Sequence, residues 1–385
     1  MRCQEGGRHM KANQRLLRDM NQARVLELLL TQGPLSRSCL AAKLGLAGGT
    51  ITAISQSLLD QDILLESGQQ GEGKGRRSVL LSLNAKAARF LCLSVGASRH
   101  RLLLGGLDGQ PLRLVSAPAD FRSKADFIQS LCDLTEPFFA QEQSRYGIVC
   151  LTLALDGLIT DQTISFGPLS FSLDQFTRIL AEECGTPIHW ERHCRLAALG
   201  ESVYALKSES LAYLHIGQTF GLGLLHHGAI WSGARGQGGL AEHLPFPDGT
   251  WGSEVTVPAI LSYSGIQGGF SAFLSDYEKK GPAALKAAHR FFSLLSPILS
   301  SLFWLYDPAL FVLYSPFTAA CEPLFLALQQ SLGPNKSRLY RSFFQQDAAL
   351  FGALAFGVCQ FLGIRTFASP HFPSPLTEER MEEQK

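Results

Sequence analysis

The chain has 385 residues, with 34 Lys/Arg against 33 Asp/Glu, a net charge of +1 and 46% hydrophobic residues. That length allows about two or three domains, each with ample core. No run approaches the roughly 20 apolar residues that a membrane helix needs, and residues 1–12 lack the apolar centre of a signal peptide, so a cytoplasmic protein without membrane insertion is expected.

Residues 1–12 read as unstructured. From Asn13 to Gln32 the spacing predicts a helix, with Leu16, Leu17, Met20, Val25, Leu26 and Leu29 as its packing face. Ser36 is placed to cap a short helix carrying Leu40, Ala41 and Leu44, and Gly45 can end it in the left-handed conformation. A second helix then starts near Gly48. Its apolar residues Ile51, Ile54, Leu58 and Leu59 fall on one face, while Thr50, Thr52, Ser55 and Gln56 point elsewhere. Ile63 and Leu64 lead into the glycine-rich run 68–75, and Val79 to Leu83 leads out, predicting a two-stranded hairpin whose tip carries Lys74, Arg76 and Arg77. A helix pair followed by a cationic hairpin is a winged helix-turn-helix, a device that reads double-stranded DNA. Residues 1–84 hold 11 Lys/Arg against 7 Asp/Glu, an excess of 4 that the rest of the chain offsets. Expected DNA contacts are Gly48, Thr50, Thr52 and Ser55 on the helix and the three cations of the wing.

Past Asn84 the composition changes. Phe90–Gly96 and Arg101–Gly106 read as strands, Asp108-Gly109 turns the chain into a third, and a helix follows over about 123–146. Ile148–Leu155 is a buried strand ending in Asp156-Gly157. Helices near Leu173–Cys184 and Cys194–Leu206 flank Pro187–Trp190. The pattern of strands followed by helices restarts at Leu211–Ile216 and Gly221–His226, which implies two similar α/β lobes. Two apolar helices, 281–306 with Phe291, Leu294, Leu295, Ile298, Leu302 and Leu305 in register, and 347–362, complete the core, and a charged, proline-containing tail starts near Ser369. The nine cysteines are scattered with no C-x-x-C pair, which indicates neither a disulfide framework nor a clustered zinc site.

The helix-turn-helix with its Gly73-Lys74-Gly75-Arg76-Arg77 wing, the segment Glu191–Glu201, the segment Gly228–His243 and Leu305-Tyr306-Asp307-Pro308 occur in an order and spacing that resembles the transcriptional-regulator branch of the ROK family. The resemblance runs from Asn13 to about Phe367. It implies an α/β fold: an N-terminal winged helix-turn-helix followed by a two-lobed, actin-like ATPase domain of the ROK sugar kinase type, with a sugar cleft between the lobes. The expected division is 1–84 for the DNA-binding domain, 85–190 for lobe I, 191–368 for lobe II with its last helix returning to lobe I, and 369–385 for a disordered tail.

The departures from the kinase pattern bear on function. The resemblance places an Asp and a Gly-Gly-Thr phosphate turn where this chain has Ser94 and Gly96-Ala97-Ser98. The second phosphate loop reads Gly217-Gln218-Thr219-Phe220-Gly221, and a Gly-Gly that admits adenosine reads Tyr314-Ser315. His193 stands at the position of the catalytic Asp and Arg192 at that of a sugar-binding Asn. Of the zinc site the resemblance implies, His243 remains while Ser253 occupies a ligand position, and no cysteine lies between His243 and Val257, so no metal is expected. Leu240 replaces a sugar-contacting Glu, with Glu242 and Glu254 nearby. The resulting expectation is a DNA-binding repressor of sugar-related genes with no catalytic residues and no cofactor. Its cleft would be lined by Arg192, His193, Glu242, His243 and Glu254, its effector a sugar or sugar phosphate, and its assembly a homodimer or higher homo-oligomer open to a regulatory protein. The competing readings are an ATP-dependent sugar kinase with a DNA-binding appendage, and a protein-regulated scaffold with an empty cleft.

Overall fold

A computed structural model describes residues 3–70, 78–120, 122–160, 162–246 and 249–364, with side chains from Leu17 onward and backbone alone at 69–70. The head opens with helix α1 (Cys3–Gln32). It therefore starts upstream of Asn13. The expected start followed the apolar periodicity, but no proline separates Cys3 from Asn13 and the backbone ladder propagates without an apolar face. Leu17 and Met20 are exposed, because the buried residues of α1 lie only in its last two turns, from Val25 to Thr31.

Strand β1 (Leu35–Ser36) leads to α2 (Arg37–Leu44), where Ser36 Oγ accepts the Cys39 N–H at 3.2 Å, and Gly45 closes the helix at φ 65°. Helix α3 (Gly48–Asp60) starts at Ala47 with no side-chain cap. Strands β2 (Leu64–Gln70) and β3 (Ser78–Leu83) form the wing, with β3 central between β1 and β2. The wing tip, including Lys74, Arg76 and Arg77, lies outside the described residues. So does the tail expected from Ser369.

Lobe I contains β4 (Arg89–Gly96), β5 (Arg99–Gly106), β6 (Pro111–Pro118), α4 (Lys124–Gln141) and β7 (Ile148–Asp156). A small antiparallel sheet that the periodicity did not indicate follows, β8 (Leu158–Thr160), β9 (Thr163–Phe166) and β10 (Leu169–Ser172). Its strands are too short for alternation to register. After α5 (Leu173–Cys184), β11 (Ile188–Arg192) joins β7 in parallel, so the lobe I sheet extends to Arg192, across the expected boundary at 190. The sheet order is β11-β7-β4-β5-β6.

Helix α6 (His193–Gly200), continued by a π-helical turn (Glu201–Leu206), leads into lobe II. There β12 (Leu211–Ile216), β13 (Phe220–His226) and β14 (Ala229–Ile230) are antiparallel neighbours. A short pair, β15 (Pro245–Phe246) and β16 (Gly249–Thr250), precedes α7 (Trp251–Glu254), α8 (Val257–Ser264), α9 (Gly269–Glu278) and α10 (Pro282–Tyr306). Strand β17 (Leu310–Tyr314), α11 (Pro316–Ala320), α12 (Glu322–Ser331), β18 (Leu339–Arg341) and α13 (Ala348–Leu362) end the fold. The second sheet runs β14-β13-β12-β17-β18 and repeats the first: an antiparallel meander, then two parallel strands reached by helical crossovers. Leu305, expected in the apolar stripe of α10, is 70% exposed, whereas Leu302 and Phe303 beside it are buried, Phe303 against Phe311 of β17.

Helix α13 packs on β4, β5 and β7 and crosses α6 closely enough that a methyl group on Gly352 would collide with the Leu196 carbonyl. One buried cluster runs without interruption from Val25, Leu40 and Ile51 in the head through Phe90 and Cys92 to Leu196, Leu350 and Val358. The head thus shares a core with lobe I. Two further clusters fill the outer faces of lobe II and lobe I.

Candidate ligand cleft and nucleic-acid interface

The carboxyl ends of the parallel strands of both sheets face the cleft between the lobes, where α/β folds place their ligands. Asp156 ends β7 and lies opposite Gly96 of β4 in register. Its Oδ1 accepts the Thr219 hydroxyl at 2.7 Å, a bond from the β12–β13 turn of lobe II to lobe I. His193 at the start of α6 and His215 on β12 stand beside this carboxylate, with ring centroids 4.8 Å apart, and the Tyr314 ring lies 5.1 Å beyond His215.

His193 is 4% exposed and neither ring nitrogen has a protein partner; His215 Nδ1 is likewise unpartnered. Burial pushes the His215 pKa down to about 4 and also lowers that of His193, with Asp156 opposing in both cases. For Asp156 burial works upward, but the His193 and His215 imidazoles and the Thr219 hydroxyl outweigh it and hold the carboxyl below its ordinary value. At neutral pH the cluster is one carboxylate facing two neutral imidazoles.

A cavity of about 370 Å³ opens over this cluster, and Arg192, His193, Glu242 and His243 all line it. Four of the five cleft residues named from sequence are therefore brought together. Glu254 is not. It pairs with Arg290 at 3.2 Å, because α7 turns it toward α10. Burial raises the pKa of Glu242, opposed by its own backbone N–H, His243 and Arg192. Asp156 and His215 are not evident as site residues from sequence, since Asp156 reads as a strand-to-turn residue and His215 lies inside an apolar strand, while Thr219 is evident only as part of the second loop. The available signal was the carboxylate at a strand's carboxyl end.

The two loops that the kinase resemblance assigns to phosphates both abut Asp156. Thr219 belongs to the second loop and bonds it, while a side-chain carbon on Gly96 of the first would sit 3.6 Å from Asp156 Oδ2. A fixed carboxylate at this point repels the oxyanions that such loops serve to bind. Farther along, Tyr314 and Ser315 line a cavity of only about 50 Å³ with Ser342 and Gln345. Ser315 is fully buried and caps α11 through Phe317 N–H. Across the same edge, Arg101 of β5 makes two hydrogen bonds of 2.6 and 2.9 Å to Asp347, the residue preceding α13. These residues do not fit a nucleotide.

Nor do they fit a structural zinc. Ser253 closes a capping box with Thr250 at the start of α7, its Oγ accepting the Thr250 N–H at 2.9 Å. Among the described residues no three His, Cys, Asp or Glu side chains converge as a metal site.

In the head, Gly48, Thr50 and Thr52 are exposed on α3, and the Thr52 hydroxyl donates to the Gly48 carbonyl at 2.9 Å. Ser55 is fully buried, a correction to its expected DNA contact. It neighbours Ile54 and Ile51 on the inner face, and the outward position is Gln56, which donates to Asp60 at 2.9 Å.

The repeated sheets, the cleft between them and the appended head define a two-lobed, actin-like kinase-type fold carrying a helix-turn-helix. The ROK family profile matches residues 90–353, and the chain belongs to the ROK family. The xylose repressor of Bacillus subtilis (strain 168) is 27% identical over 238 residues, 60% of this chain and 62% of that protein. The DNA-binding transcriptional dual regulator NagC of Escherichia coli (strain K12) is 23% identical over 247 residues, 62% of this chain and 60% of NagC. The matched segment thus spans about three fifths of the length of these relatives. Among solved structures, a ROK family transcriptional regulator homologous to the E. coli MLC protein superposes with TM-score 0.72 at 19% identity, covering 90% of this chain and 99% of that one. The ROK hexokinase of Thermus thermophilus superposes with TM-score 0.58 at 21% identity over 69% and 96% of the two chains.

Proposed function

We propose that this protein is a DNA-binding transcriptional regulator, a repressor of sugar-related genes, whose ROK domain senses a small polyhydroxylated effector and does not phosphorylate it. The observation that carries this reading is the asymmetry of the cleft. A roomy cavity lined by Asp156 and by an unpartnered, buried imidazole survives on one side, while Tyr314, Ser315 and the Arg101–Asp347 pair occupy the other. Phosphoryl transfer needs a base near the sugar hydroxyl together with a phosphate cradle. Even with Asp156 taken as a displaced base, the groups that hold it stand where the cradle would be. The names of the relatives, xylose repressor and NagC, support the same reading.

The effector can reach the head mechanically. Asp156 and Thr219 join the lobes, α13 and α6 carry the lobe I face, and α13 contacts α1 through the continuous core. Assembly as a two-fold dimer through the ROK domain would let two heads read an inverted repeat with half-sites about one or two helical turns apart. Selection of genomic fragments bound by the full chain supplies the operator. On that operator, replacing Arg76 and Arg77 with Ala should weaken binding and flatten its salt dependence by up to about one logarithmic slope unit per lost contact. No fragment enriched above the unselected pool, or an operator bound with unchanged affinity and salt slope by the double variant, removes the head and its wing from the mechanism.

A further inference from the structure

The head is joined to lobe I unevenly. Between α1 and the end of α13 the packing is open, and a cavity of about 1040 Å³ has Met20, Ala23 and Arg24 in one wall and Phe361, Gly363 and Ile364 in the other. Phe361 also belongs to a closed contact. Its ring meets Phe90 at 5.8 Å and Tyr146 at 6.1 Å, both edge to face. Tyr146 lies in the loop 142–147 between α4 and β7, and its hydroxyl donates to the Gln61 carbonyl at 2.8 Å. The neighbouring Arg145 pairs with Asp62.

Gln61 and Asp62 are the end of α3. Gln61 is its C-cap, and Asp62 takes φ 55° with its carbonyl accepting from Asn84 Nδ2 at 2.9 Å. The loop that reaches them is itself fixed. Glu142 accepts the Gln143 and Ser144 N–H groups at 3.0 and 2.6 Å and lies 3.7 Å from Arg89 of β4. Tyr146 N–H donates to the Ala87 carbonyl at 3.0 Å, and Arg89 N–H to the Gly147 carbonyl at 2.9 Å. The phenol is thus held by its backbone at the start of the lobe I sheet and by its ring on α13.

Arg145 and Asp62 are 48% and 56% exposed, so their ion pair contributes little. The Tyr146 bond carries more of the alignment, because a hydroxyl on a packed ring with two χ angles fixes a direction at small entropy cost. Gly48, Thr50 and Thr52 are at the opposite end of α3. Over the roughly 18 Å of that helix, a tilt of about 10° about the anchored end displaces the first turn by roughly 3 Å, close to one base-pair step.

We propose that Tyr146, with Arg145 as a minor partner, is a positioning residue for DNA: it fixes the angle of α3 against the ROK domain and so sets the half-site spacing that the two heads of a dimer accept. This rests on the DNA-binding and two-fold readings above and adds how the spacing is chosen. A single head can contact bases without the strap. Two linked heads gain from each other only where both fit at once.

The test uses the operator selected from genomic fragments, rebuilt with its half-sites moved by single base pairs and also as an isolated half-site, with binding of the full chain followed by fluorescence anisotropy. Wild type should favour one spacing over its neighbours by about tenfold. In Tyr146→Phe/Arg145→Gln that preference should fall to about twofold, while affinity for the isolated half-site and the cooperative thermal melt are kept. Tyr146→Phe alone, which keeps the ring on Phe361, should show most of the change. Gln61→Ala, which keeps the accepting carbonyl, should retain the wild-type profile. A spacing preference unchanged in the double variant, the same relaxation in Gln61→Ala, or an equal drop in half-site affinity would overturn the assignment. If wild type binds the inverted repeat no better than one half-site, the two-fold reading falls first; if no fragment is enriched, the DNA-binding reading does, and the inference falls with either.

Discussion

The two sides of the interlobe cleft differ more than the two lobes do. One side keeps a cavity of about 370 Å³ over unpartnered imidazoles, and the other retains about 50 Å³ behind Tyr314. Both are built on the same repeated sheet and both begin at strand ends. Under the proposed function, this difference makes binding and phosphoryl transfer separable on the scaffold: fixed side chains fill the Tyr314 side while the cavity over Asp156 stays open.

The strongest way to sharpen that contrast is through the floor of the filled side. Glu201 is fully buried, accepting hydrogen bonds from the Ser342 hydroxyl and from the Phe343 and Phe344 N–H groups, which fix the segment beside Tyr314. Burial pushes its pKa up to about 7, against those three bonds. A carboxyl whose folded value is raised binds more protons folded than unfolded. Its contribution is therefore complete below about pH 4.5 and is lost as pH rises through about 7, a change of about 3 kcal/mol. Thermal melts should show stability falling across that window, and Glu201→Gln should flatten the slope. A wild-type slope unchanged by the substitution would detach Glu201 from the effect.

A smaller effect is expected on the open side. His193→Asp restores the carboxylate of the kinase pattern but sets it beside Asp156, so one of the two must take up a proton or be strained apart. A stability loss of about 2 kcal/mol is expected, with no gain of phosphoryl transfer. Denaturant unfolding measures the first and ADP release the second; recovered turnover would show that the base alone was missing.

Smaller still is the effect of Asp156→Asn, which weakens the interlobe bond from Thr219 while keeping the shape. A cost of about 1 kcal/mol and roughly a tenfold loss of sugar affinity are expected. Retained affinity, measured by calorimetry, would remove Asp156 from the binding surface.

Much of this architecture was legible in the sequence because it rests on local rules. Ser36 and Gly45 bracket α2 as cap and left-handed stop, and the second lobe repeats the strand pattern of the first. What was illegible depends on tertiary placement. Ser55 lies one position from the outward face of α3, and helical periodicity alone does not fix which side of a small residue meets the core. Glu254 stands near the cleft residues in sequence, yet the α7 turn gives it to Arg290. Asp156, Thr219 and His215 converge from three separated segments, and no spacing rule joins them. The departures at Ser94, His193 and Tyr314 could be read as losses, but the carboxylate set between the two loops became visible only in the fold.

The central claim, binding without transfer, is tested most directly by following ADP release from MgATP by the full chain in the presence of the sugar it binds most tightly. The expected result is sugar binding by calorimetry with ADP release indistinguishable from the no-sugar control. Sugar-dependent ADP release well above that control would contradict the account and return the protein to the kinases whose fold it shares.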